Sequence, residues 1–412
     1  MKFCKRCLYT TGHPLGLTID QEGICSGCRV HEEKDTLDWN YRFGLLENLV
    51  SKYLSDSGEN YDCIVPVTGA NDSYFIVDIV KNKLGLNPLL VTYNHYFNTP
   101  LGIRNLANLK IKFNCDLLYQ NVNPISVKNI TRETLRSHGN MYWPVLAGKT
   151  VFPVQTAVRF KVPLIIWGAH QGLEQVGMFS HEHEVEMTRR YRKDHDLYNK
   201  EADDIDTIFN SLHKKDIWQY RYPSDKELNE VGVRGIYLGN YIRWDPKDQH
   251  DQMIDKFDYQ TSSFTRTFDR YDFVDCYNYM DVHDLLKLYK HGYSKVTDHA
   301  SREIRFGRIS REEGLTLVRK HELAQVQFSN LLCKWLGISE KALVFIMDQH
   351  RNPLFWDEVG PQKYVFKGWS TMQKDNLDFK ETFKEPIHFI ENSSLQYNAL
   401  ENNYITFGRG WP

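Results

Sequence analysis

Apolar residues along the chain come in short runs separated by helix-length stretches of mixed polarity. The first run, Asp62-Cys63-Ile64-Val65-Pro66-Val67, stops abruptly at Thr68-Gly69. Others follow at 88–93, 117–119 and 162–167. Helical patterns lie between them at 73–83 (closed by Gly85), 99–113, 125–138 and 150–160, with an amphipathic lead-in helix at 38–56. Strands alternating with helices predict an α/β fold: a parallel sheet with right-handed crossovers and flanking helices. Ligands of such sheets lie at the carboxyl ends of the strands. That rule puts the 68–73 loop, Tyr93-Asn94-His95 and Gly168-Ala169-His170 on one rim.

Beyond about residue 175 the pattern turns charged and helical. The His181-Glu182-His183 stretch invites a metal reading, but helical residues two apart point to different sides, and the Glu-to-Arg spacings that follow suit surface ion pairs. Residues 196–216 read as a polar surface excursion, and 235–241 as a strand or turn entering a site. Residues 297–313 are densely polar, with Ser310 and Glu313 forming a capping box for the next helix. Three units are expected: 1–35, 36–195 and a mainly helical 196–412. No internal repeat and no low-complexity linker separates them.

The loop Thr68-Gly69-Ala70-Asn71-Asp72-Ser73 carries the first candidate chemistry. A strand ending in a tight loop before a helix leaves free N–H groups at the positive end of the helix dipole, an anion site. Thr68 and Ser73 add hydroxyls, and Asp72 is placed to orient the loop or hold a magnesium ion. No Walker loop and no Gly-x-Gly-x-x-Gly is present. The loop resembles the Ser-Gly-Gly-x-Asp-Ser motif of ATP pyrophosphatases, which split ATP into AMP and pyrophosphate. Ala70 departs from that motif at its second glycine. The plain alternative is a strand-to-helix turn capped by Asp72 or Ser73.

Cys4-Lys5-Arg6-Cys7 and Cys25-Ser26-Gly27-Cys28 form two Cys-x-x-Cys knuckles. Their spacing is that of a zinc ribbon, in which four thiolates hold a structural zinc and leave no open position for catalysis. A pair of disulfides is the competing reading. Nothing at Met1-Lys2-Phe3 resembles a secretion signal, so a cytoplasmic, reducing location is expected. The formal net charge of −2 gives no nucleic-acid footprint, and no apolar run is long enough to span a bilayer.

Several features together resemble the N-acetyl sugar amidotransferases of bacterial surface-polysaccharide (lipopolysaccharide) biosynthesis. They are the four-cysteine ribbon, the pyrophosphate-type loop, Asn87-Pro88-Leu89-Leu90-Val91-Thr92 with Asn94-His95, Gly102-Ile103-Arg104-Asn105-Leu106, Gly235-Ile236-Tyr237-Leu238-Gly239, and Thr297-Asp298-His299-Ala300-Ser301. They occur in the family's order over about residues 1–330. His170-Gln171-Gly172 departs from it, standing where a Glu-Asn pair is expected.

The resemblance implies an adenine nucleotide alpha hydrolase-like sheet and an ATP-dependent ligase with ATP, Mg2+ and structural zinc. Such an enzyme converts a sugar N-acetyl group to an acetamidino group through an adenylated intermediate. Ammonia would come from a separate glutaminase subunit working with a cyclase-like barrel subunit. The nucleotide would meet Thr68, Gly69, Ala70, Asn71, Asp72, Ser73, Thr92, Asn94 and Gly168. Asp72, His170 and Glu174 are the candidate catalytic residues, and Asp298, His299 and Arg305 the substrate contacts. Two other readings stay open: a tRNA-thiolating ATP pyrophosphatase, and a non-catalytic nucleotide-sugar scaffold with a disabled loop.

Overall fold

A computed structural model describes residues 1–70, 72–208 and 212–368. Its centre is a five-stranded, all-parallel sheet in the order β3-β2-β1-β4-β5. The strands are β1 (Cys63–Pro66), β2 (Pro88–Tyr93), β3 (Asp116–Gln120), β4 (Leu164–Trp167) and β5 (Arg234–Tyr237). β1 pairs with β2 on one side, Ile64 opposite Leu89, and with β4 on the other, Ile64 opposite Ile165. The chain therefore builds outward from β1 through β2 to β3, then crosses back to start again at β4. That reversal makes the crevice between β1 and β4 the switch point of the sheet.

Both faces of the sheet are covered, which is why its strands read as continuous apolar runs rather than alternating ones. Val65, Leu90 and Ile166 point to one face, against α3 (Ser73–Val77) and α4 (Pro100–Phe113). Ile64, Leu89, Val91 and Ile165 point to the other, against Phe152, Val154 and Ala157 of α6 (Trp143–Phe160). α5 (Pro124–His138) ends at Gly139, whose φ of 58° stops the helix.

Three boundaries differ from the sequence pattern. α6 begins at Trp143, well before 150, because Pro144 fits the first turn of a helix. The helix expected at 73–83 is α3 followed by wider π-type turns over Asp78–Lys83. The lead-in helix is α2 (Trp39–Val50), closing in a single tight turn at Ser51–Tyr53. β5 lies in the segment assigned above to the third unit, yet it pairs in parallel with β4.

Among the described residues after β5 the chain is mainly helical. Helices Pro246–Phe257, Val282–His291, Lys295–Arg305, Arg311–His321, Ser329–Leu336 and Glu340–Asp348 lead to a small antiparallel hairpin, Trp356–Gly360 with Lys363–Phe366. The N-terminal ribbon, with its helix α1 (Ser26–Glu33), packs between this helical part and the sheet domain. Leu8 N–H donates to Ser301 Oγ (3.3 Å), and Ser26 Oγ donates to the Val176 carbonyl (2.6 Å).

Candidate functional site

The loop after β1 is held by its own hydroxyls. Ser73 Oγ accepts the Thr68 N–H (2.9 Å) and donates to the Ala70 carbonyl (3.0 Å). Thr68 Oγ1 accepts the Ala70 N–H (3.1 Å). Gly69 is required by its surroundings, since a Cβ there would lie 2.0 Å from the Gly102 carbonyl oxygen. Asn105, from the same Gly102-to-Leu106 stretch, donates to the Gly69 carbonyl (3.2 Å). Ala70 is fully buried, with its methyl in the apolar core below the loop. Asn71 lies outside the described residues.

Two cavities open at this switch point. The smaller, about 210 Å³, is bordered by Thr68, Ser73, Lys149, Trp167 and Gly168. The larger, about 340 Å³, lies between the sheet rim and the helical part, bordered by Glu174, Asp272, Lys295, Asp298, His299 and Arg302. Asp72 and Ala169 belong to the walls of both. Gly168 lets this happen: a Cβ on it would sit 2.2 Å from Asp72 Oδ2. Burial pushes the Asp72 carboxyl upward, while His250 and the Ala169 main chain favour its anion.

Thr92 faces Thr68 and Gly69 across a narrow cleft beside the loop. Asn94 is fully buried and borders none of these spaces. Its Oδ1 accepts from the Tyr96 N–H (3.0 Å) and Asn98 Nδ2 (2.8 Å), so it shapes the turn after β2.

His170 and Glu174 part company although both belong to α7 (Gln171–Glu174) and its cap. His170 turns away from both cavities into an aromatic group of Phe179, Tyr191 and Tyr237. Its Nδ1 accepts the Gly172 N–H (3.1 Å), and burial, with Arg192 and His195, pushes its pKa down to about 4. Glu174 faces the larger cavity. Its Oε2 pairs with buried Lys34 at 2.5 Å, and its Oε1 is buried without a hydrogen-bond partner.

Asp298 joins three parts of the chain. Its Oδ1 accepts from Tyr9 of the ribbon and Gln175 of the sheet domain, both at 2.8 Å, and its Oδ2 pairs with Lys287 and Lys295. Burial opposes its charge, but the two lysines outweigh that and hold the carboxyl below the usual carboxylate range. His299 lies one residue on, its Nδ1 2.7 Å from Thr267 Oγ1. Arg305 also borders the larger cavity, but two of its nitrogens are committed elsewhere. Nη1 donates to the Glu174 and Gln175 carbonyls (3.0 and 2.8 Å), and Nη2 approaches Cys25 Sγ at 3.7 Å.

The four ribbon cysteines are free, buried and clustered. Cys4 and Cys28 sulfurs are 3.9 Å apart and Cys7 and Cys25 sulfurs 3.5 Å, far too long for disulfides. A tetrahedral Zn–S site with bonds of about 2.3 Å has edges of about 3.8 Å, so the cluster fits a structural zinc. The N–H groups of Arg6, Cys7 and Cys25 point at Cys4 Sγ (3.3–3.4 Å), and Arg305 supplies a cation nearby. These donors suit thiolates, whose charge four sulfurs around one zinc would leave partly uncompensated.

Sequence reasoning did not single out Lys149, Lys34, Asp269, Asp272 or Lys295, all of which the fold brings to or beside the two cavities. Lys149 offered one signal. It precedes Pro153 by four residues inside α6, and that proline leaves the Lys149 carbonyl without its helical N–H partner beside the loop.

Residues 249–374 match the family described as "LPS biosynthesis protein WbpG-like, C-terminal domain". This segment supplies Asp272, Lys295, Asp298, His299 and Arg302, the helical wall of the larger cavity. The chain is also 25% identical over 121 residues to an uncharacterized protein of Methanocaldococcus jannaschii, a match covering 29% of this chain and 42% of that protein. Among the described residues, no helix is long and apolar enough to cross a membrane. The chain is thus similar, through the domain that closes its larger cavity, to a lipopolysaccharide-biosynthesis protein.

Proposed function

We propose that the chain acts in polysaccharide biosynthesis as an ATP-dependent, AMP-forming amidotransferase that converts a sugar N-acetyl group to an acetamidino group. The observation that carries this reading is the wall of Asp72 and Ala169 shared by two cavities at the switch point of the sheet. A nucleotide in the smaller cavity has its phosphates beside Thr68 and Ser73, next to a chamber of about 340 Å³ that mixes aromatic and charged walls and is sized for a sugar. The similarity of the chamber's helical wall to a lipopolysaccharide-biosynthesis domain supports a sugar as occupant.

The chemistry is one of positioning. An amide oxygen leaves poorly, so it first attacks the α-phosphorus of ATP, and pyrophosphate departs with the bridging oxygen. Ammonia then adds to the activated carbon, and AMP leaves carrying the former amide oxygen. In this scheme Thr68 and Ser73 fix the shape of the loop, the loop N–H groups not used in holding it cradle the departing pyrophosphate, and Lys149 offsets its charge. Magnesium bound with the nucleotide, beside Asp72, would neutralise phosphate charge. Glu174 Oε1, buried without a partner, takes the proton that ammonium must lose. His170 has no part in this scheme, because it faces away from both cavities. Zinc holds the ribbon, and through Tyr9 the ribbon holds Asp298.

The test is product analysis. Purified protein with magnesium-ATP, ammonium and a panel of nucleotide-linked N-acetyl sugars should release AMP and pyrophosphate in equal amounts. Asp72→Asn should abolish release, and Lys149→Met should raise the KM for ATP by about tenfold or more, the loss expected for one charge-assisted contact. Release of ADP and phosphate, or no sugar dependence, would rule the reading out.

A further inference from the structure

We infer that Asp269, Asp272 and His299 form a divalent-cation site at the larger cavity. Their donor atoms lie within 4.8 Å of one another, contributed by the 258–281 connection and by helix Lys295–Arg305. The inference does not rest on the ligase reading, since it uses only these donors and what holds them.

The holding is specific. Asp269 Oδ1 accepts the N–H groups of Tyr271 (2.9 Å) and Asp272 (3.0 Å), which fixes its carboxylate. Thr267 Oγ1 accepts the Asp269 N–H at 3.1 Å and lies 2.7 Å from His299 Nδ1. If the Thr267 oxygen accepts there too, the imidazole proton sits on Nδ1 and Nε2 is free to act as a ligand. His299 is only 3% exposed, and its Nε2 has no hydrogen-bond partner. That nitrogen lies 3.5 Å from Asp272 Oδ2. In that tautomer two electron-rich atoms face each other at this distance in a buried setting, and a cation between them relieves the repulsion; with the proton on Nε2 the contact is an ordinary ion pair.

Arg302 reaches Asp269 Oδ2 (2.6 Å), Asp272 Oδ2 (3.3 Å) and Glu303 (2.7 Å), one guanidinium shared by three carboxylates, with Lys295 and His250 (3.9 Å from Asp272 Oδ1) also facing Asp272. Two carboxylates and an imidazole suit a borderline ion such as Mn2+ better than a strictly oxygen-seeking one. Asp72 borders the same cavity, so an ion here faces the phosphate loop.

The test is Mn2+ titration of the full-length, zinc-loaded chain without nucleotide, followed by electron paramagnetic resonance. The expected result is a single tightly held Mn2+ with coupling to an imidazole nitrogen. His299→Gln should remove that coupling and weaken binding by at least about tenfold. Asp72→Asn should leave both unchanged, which separates this ion from any magnesium that arrives with ATP. Absence of a held ion, an ion without nitrogen coupling, or indifference to His299→Gln would overturn the site. An ordinary His–Asp hydrogen bond, with its proton on Nε2, would give the first of these results. If His299→Gln loses zinc content or melts early, Asp272→Asn carries the test, and unchanged Mn2+ affinity there overturns the proposal. Normal AMP formation alongside such a failure would leave the proposed function standing.

Discussion

Asp72 and Gly168 meet across the switch point of the sheet so closely that a single methyl on Gly168 would lie 2.2 Å from the Asp72 carboxylate. One residue follows β1 and the other follows β4, so their contact fixes the crevice between the two strands. Gly168→Ala should push Asp72 away from the wall shared by the two cavities. The expected result is a loss of AMP formation far greater than the change in stability, which overpacking of this kind sets at about 1–3 kcal/mol. Paired turnover and melting measurements separate the two.

Ala70 is the position at which the loop departs from the glycine-rich motif, and its methyl is buried in the core. Ala70→Gly should therefore destabilise the protein, by about 1 kcal/mol, through lost apolar burial and added backbone freedom. Affinity for magnesium-ATP, measured by calorimetric titration, should not improve. A large gain in affinity would mean that the methyl obstructs the phosphates.

The ribbon is a brace for the larger cavity. Tyr9 and Ser26 tie it to Asp298 and Val176, and Arg305 links its cysteines to the end of α7. Removing zinc with a chelator, or making Cys25→Ser, should lower the melting temperature and loosen the cavity wall together. Hydrogen exchange should show lost protection in helix Lys295–Arg305 as well as in residues 1–35. Exchange confined to the ribbon would contradict the bracing role.

Glu322 gives the expected pH dependence of stability. Burial pushes its carboxyl up to about 8, against the opposing effect of Arg266 and Arg319. An unfolded chain releases that proton near the ordinary glutamate value of about 4.3, so the folded state holds the extra proton between the two values. Its contribution to stability is complete at the acid end of that window and is lost as pH rises toward about 8. Glu322→Gln should flatten the fall in melting temperature across this range, which scanning calorimetry reads directly.

The sheet was legible in the sequence because both of its faces are buried. Such strands become uninterrupted apolar runs, and β2 lies where its run predicts. β5 was harder to place, since Arg234-Gly235-Ile236-Tyr237 is short and half polar. The loop after β1 and the four-cysteine ribbon announce themselves through residues close together in the chain. The larger cavity does not, because Lys34, Glu174, Asp272 and Asp298 are brought together only by packing the ribbon and the helical part against the sheet rim. His170 shows the same limit from the other side. It lies on the expected rim, yet the aromatic rings of Phe179, Tyr191 and Tyr237 draw it away from the cavity. Spacing along the chain placed its backbone and could not place its ring.

The most direct test of the central claim follows one oxygen atom. A nucleotide-linked N-acetyl sugar labelled with heavy oxygen in its acetyl carbonyl is turned over with ATP and ammonium, and the AMP formed is analysed by phosphorus NMR. Adenylation at the shared wall of the two cavities predicts one labelled oxygen on the AMP phosphorus. Unlabelled AMP, or label retained in the sugar product, would contradict it.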